Sequence, residues 1–474
     1  MSTTVQLAGI MLLLIGMCTA ATAEDAPYTS ADFDDPTVCM GCHAEIYEQW
    51  NGSMHANAYI DPVYQKEDEM ASNETNGLTD EYCIKCHSPI GFLTGEILPA
   101  DRSNMGEVSK KGIQCDFCHV VTAISGINGA YDVEPGRVKR GPYDDSMPMY
   151  HTAEFSELHT SAEFCGGCHN VFHPVNNLQI EATYDEWLES PYNTGDPDTE
   201  TPCQHCHMTH GITRFEANPG VAAAGGPERD HWYTHYGVGG NAPLPGILGS
   251  EKHEELAIER LKSAATVEVT TPKDAAGEEV SIDVIVTNTG AGHKIPTGLT
   301  EVREAWLDVK VTDSAGASIF RSGALDENGI VDPDAAIFHN VIGDSDGNPT
   351  MKVWEAESIL EDTRIPPKES VTETYTFTVP ADVNTPVTVS ASLNYRTASQ
   401  ELIDKLFGAG QISVPVIEMA RAEKIIGSGT EDAERIEDGA GAETGDSGAT
   451  PGFGIISAAS GILAMYLVVS RRNR

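Results

Sequence analysis

Cys39-Met-Gly-Cys42-His43 is the first of five copies of the signature Cys-x-x-Cys-His, and the stretch that contains them, residues 39–207, decides the fold. We number the copies motif 1 to motif 5 in chain order. They run from Cys39 to His43, Cys83 to His87, Cys115 to His119, Cys165 to His169 and Cys203 to His207. Ten of the eleven cysteines belong to these motifs, and the eleventh, Cys18, lies near the N-terminus.

Each motif is typical of covalent haem c attachment. Two thiols separated by two residues add to the vinyl groups of one porphyrin, and the adjacent imidazole reaches the iron. We therefore predict five covalently bound haem c groups, with the motif histidines His43, His87, His119, His169 and His207 as proximal iron ligands. The predicted thioether residues are Cys39, Cys42, Cys83, Cys86, Cys115, Cys118, Cys165, Cys168, Cys203 and Cys206. Zinc sites or disulfides are the alternatives, although zinc does not require a histidine after every second cysteine.

The side chains are strongly acidic, with 29 Lys and Arg against 72 Asp and Glu and a formal net charge of −43. Such a surface repels nucleic acid and anionic lipid, so no nucleic-acid partner is predicted. The charge is typical of a well-solvated surface, as on salt-tolerant or cell-surface proteins. A cationic partner or bound metal ions are the alternative explanation.

The N-terminal residues 1–23 predict a secretory signal peptide. They contain a hydrophobic core from Ala8 to Met17 and end in Ala21-Thr22-Ala23, with cleavage expected before Glu24. Attachment of haem to cysteine takes place outside the cytoplasm. The signal and the five motifs therefore predict the same extracytoplasmic location.

The C-terminal residues predict a membrane tether. Residues 427–450 are rich in Gly, Asp and Glu and are expected to form a flexible acidic linker. In residues 451–474, Pro451-Gly452-Phe453 precedes an apolar run, residues 454–470, and a basic end, which predicts a transmembrane segment with the arginines in the cytoplasm.

This tail resembles the archaeal sorting signal of the Pro-Gly-Phe type, found on surface proteins processed by an archaeosortase. The resemblance implies that the span is removed and replaced by a lipid, as in other removable anchors. With or without that cleavage, we expect the protein to be anchored to the outer face of the cell membrane by its C-terminus.

The fold class predicted for the remainder is α+β and multidomain. Residues 24–262 are expected to form a mostly α-helical and irregular pentahaem domain, with its clearest helices over Ala44–Trp50, Thr183–Ser190 and Glu251–Lys262. The motifs start 32 to 50 residues apart, which is too little chain to build an apolar core around each haem. The porphyrins themselves are therefore expected to form much of the core and to lie close together.

Residues 264–415 predict an all-β sandwich domain. Apolar and polar residues alternate over four segments, which favours about seven strands separated by turns. The segments are Val280–Val286, Leu307–Val311, Tyr375–Val379 and Val387–Leu393. A helix over Gln400–Phe407 and an apolar-basic segment to about Ile426 are expected to end the folded part.

Eleven of the 16 histidines lie outside the motifs and are available as second, distal iron ligands. Two histidines give a low-potential iron suited to electron transfer, whereas an open position permits substrate binding. In a helix, His55 and His43 would stand about 18 Å apart, and His169 and His173 would share one helix face. Neither pair can hold one iron, so a distal histidine is expected to join two separate haem-binding segments.

Motif 1 with the residues after it, Tyr47, Trp50, Ser53 and His55-Ala56, resembles the opening of a known multihaem family. That family is typified by the tetrahaem electron acceptor of hydroxylamine oxidoreductase. Glu181-x-x-Tyr184-x-Glu186-Trp187, leading to Cys203-Gln204-x-Cys206-His207-Met208, resembles its closing unit. The resemblance covers roughly residues 35–245, but this chain has five attachment sites rather than four. It implies distal roles for His55, His159 and His235.

Two further candidates come from the residues themselves. His151 is a candidate distal ligand, with an ordinary surface histidine as the alternative. His293 lies in the loop Gly292-His-Lys-Ile-Pro-Thr-Gly298 of the β domain; it is either a turn histidine or a ligand delivered to the last haem. Similar loops occur beside haem domains in related multihaem proteins. His253, on a charged helix, is expected to face solvent.

The sequence thus predicts a surface-tethered cytochrome that transfers electrons between a membrane redox chain and extracellular acceptors or partner cytochromes. No catalytic residues are predicted, and no dinucleotide fingerprint, P-loop or hydrolase elbow is found. The alternative is a haem oxidoreductase acting on nitrite-like, hydroxylamine-like or sulfur compounds at one five-coordinate haem. Pentahaem nitrite reductases use a Cys-x-x-Cys-Lys motif there, which this chain lacks. A third hypothesis is an oligomer or filament subunit.

Overall fold

The computed structural model describes residues 26–97, 102–211, 215–272 and 276–426. A motif domain of short helices and small ribbons extends to residue 264, and a β domain follows it. The predicted signal peptide, acidic linker and C-terminal span lie outside the described residues. Among those that are described, no helix has the length and apolar character needed to cross a membrane.

The helices of the motif domain are mostly one or two turns long. They are α1 (Pro36–Met40), α2 (Ala44–Asn51), α3 (Met54–Asn57), α4 (Pro62–Thr75), α5 (Asp80–His87), α6 (Pro89–Leu93), α7 (Cys115–Cys118), α8 (Ala162–Gly166), α9 (Thr183–Leu188), α10 (Cys203–His207), α11 (Leu244–Ile247) and α12 (Glu251–Ala264). Four two-stranded ribbons connect them. These are β1 (Val121–Ile124) with β2 (Tyr131–Val133), β3 (Val138–Gly141) with β4 (Thr152–Phe155), β5 (Val171–Phe172) with β6 (Gln179–Glu181), and β7 (Gly220–Val221) with β8 (Glu228–Arg229).

Local sequence explains where these elements begin and end. Helix α4 starts because the Asp61 side chain accepts a hydrogen bond from the Val63 amide at 2.8 Å and Pro62 fits the first helical position. It ends at Asn76, which adopts the left-handed conformation with φ 54°. At the motifs, the amide of the histidine donates to the carbonyl of the first cysteine, for example His43 to Cys39 at 2.9 Å. Each such turn places the imidazole one helical turn beyond the first thiol.

The β domain is built from longer strands. They are β9 (Ala265–Thr270), β10 (Glu279–Asn288), β11 (Glu304–Thr312), β12 (Ser318–Ser322), β13 (Ile337–Phe338), β14 (Asn340–Gly343), β15 (Pro349–Thr350), β16 (Ser358–Asp362), β17 (Ser370–Thr378), β18 (Val387–Arg396) and β19 (Ile417–Ile426), with helix α13 (Gln400–Phe407) between the last two. One antiparallel sheet has the order β17-β10-β9, and a second has the order β12-β11-β18-β19 with β13 also paired to β11.

Alternation along the strands creates one core between these two sheets. Strand β10 buries every second side chain, and Val284 and Val286 are fully buried. Leu307, Val309 and Leu393 of the other sheet are fully buried in the same hydrophobic cluster. The cluster also takes in residues of helix α12, which runs directly into β9. The two domains therefore share apolar packing.

Several sequence-based expectations can be compared with these bounds. Helices occur at Ala44–Asn51, Thr183–Leu188 and Glu251–Ala264, within two residues of the predicted limits, and α13 has the predicted limits. The segment that ends at Ile426 forms strand β19, so the β domain extends beyond residue 415.

The expectation for His253 was wrong. This ring is only 3% exposed, and its Nε2 bonds to the Gln49 carbonyl at 2.6 Å. The charged residues around His253 in the sequence do not reveal that this side of α12 packs against helix α2.

Glu301 predicts an unusual pH dependence of stability. Its side chain is 8% exposed, neither carboxyl oxygen has a hydrogen-bond partner in the described structure, and burial raises its pKa from 4.5 to about 8. The folded protein therefore keeps a proton that the unfolded chain releases, and this group makes stability fall as the pH rises from about 4.5 to about 8. Glu301→Gln should flatten this fall in thermal unfolding followed by circular dichroism. Glu327→Gln, at an exposed position, is the control, and an unchanged pH slope for Glu301→Gln would contradict the prediction.

Candidate haem-binding site

One continuous cavity of about 1710 Å³ passes through the motif domain and reaches the β domain. All ten motif cysteines and all five motif histidines line it, and the cysteines are free thiols. The cavity wall also includes the five candidate distal histidines, His55, His151, His159, His235 and His293. This donor set fits covalently attached haem. In the described part of the chain, no three His, Cys, Asp or Glu side chains converge as a zinc site would require.

Each motif histidine is held in the tautomer that iron binding requires. The Nδ1 atoms of His43, His87, His119 and His207 lie 2.5 to 3.0 Å from the carbonyl oxygens of Ala222, Ala58, Arg140 and Val238, respectively. His169 differs, because its Nδ1 lies 3.2 Å from the Glu181 carboxylate. Because these oxygens can only accept a hydrogen bond, Nδ1 carries the proton and the lone pair of Nε2 is free to bind a metal.

Four motif histidines face a second histidine across the cavity. The ring centres are 6.4 Å apart for His43 and His151, 6.3 Å for His169 and His55, 6.3 Å for His119 and His235, and 6.5 Å for His207 and His293. Two imidazoles on opposite sides of one metal ion, with bonds of about 2 Å, have ring centres roughly 6–7 Å apart. The separations therefore fit two-histidine coordination at motifs 1, 3, 4 and 5.

The distal candidates are positioned by different elements. His55 lies on α3, whose start is capped by the Ser53 hydroxyl, and His151 directly precedes β4. The His235 amide donates to the Gln49 side chain at 2.8 Å, and His293 lies in the loop after β10. Each comes from a segment remote from the motif that it faces, as the helix geometry predicted.

His159 lies near motif 3 but has no free ring nitrogen. Its ring centre is 5.7 Å from that of His119, yet its Nε2 lies 2.9 Å from the Cys118 carbonyl and its Nδ1 2.9 Å from the Ser156 hydroxyl. His235, which faces the same motif, has only Nδ1 engaged, by the Tyr233 carbonyl at 3.1 Å. The geometry favours His235 over His159 at motif 3.

Motif 2 differs from the other four motifs. Among the described residues, the ring that stacks on His87 is a tyrosine, Tyr64, with centres 3.8 Å apart and planes within 2°. Tyr64 is buried on α4, and its hydroxyl has no hydrogen-bond partner there. The sequence analysis missed Tyr64, because nothing in the residues around it predicts contact with His87.

Burial keeps the distal rings neutral. It lowers the pKa of His55 to about 4, with a smaller contribution from His169, and that of His235 to about 3, with a smaller contribution from His119. At motif 4, burial lowers the pKa of His169, but the hydrogen bond with Glu181 reverses this and holds the pKa at about 9. Glu181 is therefore a stronger hydrogen-bond acceptor for this imidazole than the backbone carbonyls at the other four motif histidines.

Cysteines of different motifs lie next to one another. Cys39 of motif 1 lies beside Cys115 of motif 3, Cys86 of motif 2 beside Cys168 of motif 4, and Cys165 of motif 4 beside Cys203 of motif 5, close enough for each pair to shift a cysteine pKa. Cys118 of motif 3 lies close enough to Cys168 for the two to interact electrostatically. All five motifs therefore form one connected group, with motif 4 next to motifs 2, 3 and 5.

The other histidines do not line the cavity. His173 is buried, with its Nε2 3.2 Å from the Trp354 carbonyl, and His231 accepts a hydrogen bond at Nδ1 from the Asn218 amide. His205 and His231 each contact the ring of Phe215. These side chains are engaged in packing away from the motif histidines.

Two family models match parts of this chain. A family model described as cytochrome c554 and c-prime matches residues 38–120, which contain motifs 1 to 3, and a model of the PGF-CTERM motif matches residues 450–471. No curated protein matches the chain.

Among solved structures, a penta-heme cytochrome c552 from Thermochromatium tepidum is similar, with a TM-score of 0.58 and 20% identity. The match covers 83% of this chain and 99% of that one. The sporulation control protein Spo0M from Bacillus subtilis matches with a TM-score of 0.16 at 16% identity, covering 34% of this chain and 48% of that one.

These findings support a multihaem c-type cytochrome. They support covalent haem c as its cofactor, a cytochrome-like N-terminal domain and a β-rich remainder. The PGF-CTERM match indicates anchoring at the cell surface through the C-terminus.

The ring geometry predicts which histidine serves motif 3. His235→Ala should convert one ferric haem from low spin to high spin, measured by EPR on protein with its haem content checked by pyridine haemochrome assay, because His119 loses the imidazole opposite it. His159→Ala, the matched variant beside the same motif, should leave the spin state unchanged. A new high-spin signal in His159→Ala but not in His235→Ala would reverse the assignment.

Proposed function

We propose that this protein is a surface-anchored pentahaem electron carrier. Each of motifs 1 to 5 would hold one haem through its two thioether cysteines and its histidine, and we number the haems accordingly. The observation that carries the proposal is the set of four facing histidine pairs, because two-histidine iron is saturated and suited to electron transfer rather than to substrate binding.

The axial ligand pairs proposed are His43 with His151 for haem 1, His119 with His235 for haem 3, His169 with His55 for haem 4, and His207 with His293 for haem 5. Ring separations of 6.3 to 6.5 Å support all four pairs. His87 is the proximal ligand of haem 2. His159 is not included among these ligands, because both its ring nitrogens are engaged.

The contacts between motifs support a continuous path for electrons. Cysteines of motifs 1 and 3, of motifs 4 and 5 and of motifs 2 and 4 lie side by side, and those of motifs 3 and 4 are close enough to interact electrostatically. We propose the order 1-3-4-5, with haem 2 as a branch next to haem 4. Haems attached to adjacent motifs would lie close enough to exchange electrons without further cofactors.

The C-terminal signal supports a specific setting for this carrier. We propose that the protein stands on the outer face of the cell membrane and passes electrons between a membrane-bound redox partner and extracellular acceptors or partner cytochromes. The PGF-CTERM match at residues 450–471 supports the anchor. The relation to the tetrahaem acceptor of hydroxylamine oxidoreductase stays a prediction, based on residues around motif 1 and before motif 5.

The carrier function predicts fast oxidation without a substrate site. The purified holoprotein should contain five haems by pyridine haemochrome assay. In stopped-flow experiments on the fully reduced protein, ferricyanide should oxidise all the haems, because electrons reach the surface through the connected chain. Stepwise trapping of electrons in part of the haems would contradict a continuous path.

Haem 2 supports a second candidate function, reduction or oxidation of a small nitrogen or sulfur compound. The specific observation is that His87, among the described residues, is stacked on Tyr64 at 3.8 Å, whereas the other four motif histidines each have a histidine ring 6.3 to 6.5 Å away. A haem with one protein ligand has an open position for an exogenous molecule. Haem 4 next to it would supply or remove electrons.

An open haem 2 predicts one high-spin ferric haem per molecule and one binding site for a small haem ligand. Titration with cyanide, followed by the loss of the high-spin EPR signal, should end at one equivalent because the other irons are saturated. Turnover of nitrite or hydroxylamine at this haem would favour the enzyme over the carrier. An entirely low-spin spectrum with no cyanide binding would exclude the open site.

A further inference from the structure

The loop that carries His293, residues 288–298, is shaped by the β domain. The fully buried Asn288 side chain donates to the His293 carbonyl at 2.8 Å and to the Ile365 carbonyl at 3.1 Å, and it accepts from the Ala291 amide at 3.0 Å. Ile295 forms a backbone bridge with Ile365. The β domain thus fixes the conformation of this loop, which we call the His293 loop.

The motif domain holds the same loop through one carboxylate. Glu186 of helix α9 accepts hydrogen bonds from the Lys294 amide at 3.1 Å and from the Thr297 hydroxyl at 2.8 Å, both at Oε2. Thr183, one turn earlier on α9, lies with its hydroxyl 2.7 Å from that of Thr297. Lys294, whose amide bonds to Glu186, directly follows His293 in the chain.

The other oxygen of Glu186 pairs with an arginine of the β domain. Arg364 Nη1 lies 2.5 Å from Glu186 Oε1, and the two side chains are 7% and 4% exposed. Asp362 bonds to Arg364 and, at 2.8 Å, to Lys294, which closes a network of alternating charges. Removing one member of a buried ion pair is costly because its partner is left unpaired in a medium of low dielectric.

We propose that Glu186 is a positioning residue that holds His293 opposite His207 and so makes ligation of haem 5 depend on docking of the β domain. The inference rests on the proposed His207–His293 pair. A metal-binding imidazole needs its orientation fixed by outer contacts, and loss of such contacts weakens binding. Here those contacts come from both domains, because the loop belongs to one and Glu186 to the other.

We call the contact of Glu186 with the His293 loop the clamp. The clamp lies one residue from His293, so a change in the clamp acts directly on the His293 ring. His293 Nδ1 lies 2.9 Å from the Lys294 carbonyl, and the Lys294 amide donates to Glu186. The ring and the clamped peptide are therefore covalent neighbours, and movement of that peptide would displace the ring. When the β domain separates from α9, haem 5 loses its distal ligand.

The test compares three variants of the full-length holoprotein. His293→Ala removes the ligand, Glu186→Ala removes the clamp, and Glu189→Ala removes an exposed carboxylate from the end of the same helix. The readouts are the high-spin ferric EPR signal, circular dichroism of the fold and haem content. Added imidazole should restore the low-spin signal wherever the distal position has opened, which a general loss of structure would not allow.

The expected result is that His293→Ala and Glu186→Ala both gain high-spin signal reversed by imidazole, while Glu189→Ala matches the native protein. A gain in His293→Ala but not in Glu186→Ala overturns the clamp and leaves the electron-carrier proposal intact. No gain in His293→Ala overturns the ligand pair of haem 5 and the clamp with it.

A milder variant keeps the proposal testable where Glu186→Ala does not fold. Thr297→Val removes one of the two loop hydrogen bonds to Glu186 and leaves the buried ion pair with Arg364. A partial, imidazole-reversible gain of high-spin signal is expected. A folded Thr297→Val protein with the native spectrum would count against the clamp.

Discussion

The separation between paired histidine rings is the constraint on which the rest of this structure depends. In each of the four proposed ligand pairs, the motif would supply one imidazole and the second would come from the far side of the cavity, with ring centres 6.3 to 6.5 Å apart. No local element can provide both, since residues one helical turn apart share a face. In the proposed ligand pairs, segments that are distant in the chain would meet at shared metal positions and so be held together there.

Much of this arrangement could be predicted from the sequence, because haem attachment leaves a local signature. The motifs predict the proximal ligands, and the resemblance to a multihaem family implied His55, His159 and His235, of which His55 and His235 face motif histidines with a free ring nitrogen in the structure. The choice between a turn histidine and a ligand at His293 could not be made from the residues alone. The residues around His293 fit either role. The separation of 6.5 Å between the ring centres of His293 and His207 in the structure favours the ligand.

Other features lay beyond sequence reasoning for a physical reason. Tyr64 and His87, Glu181 and His169, and Glu186 and Arg364 are pairs whose members contact one another only after folding. His159 and His235 both lie near motif 3, and hydrogen bonds to the Cys118 carbonyl and the Ser156 hydroxyl distinguish them. Glu181 and Glu186 are among the residues that resemble the closing unit of the multihaem family. Their roles, however, depend on the atoms that each carboxylate contacts in the folded protein.

These two carboxylates act on the haem chain in different ways. Glu181 bonds directly to a proximal imidazole, where the other four motif histidines have a backbone carbonyl. A carboxylate increases the basicity of a metal-bound histidine and favours oxidised iron. In the proposed chain, haem 4 would therefore differ electronically from the other haems at the point where the branch to haem 2 begins. Glu186 acts through a backbone amide and a hydroxyl on the loop of another domain. The β domain therefore does more than connect the motif domain to the anchor, because its contacts fix the conformation of the His293 loop. Glu186 of helix α9 then determines where that loop binds the motif domain. In this proposal haem 5 would gain a fixed geometry by taking one ligand from the β domain, which has a hydrophobic core of its own.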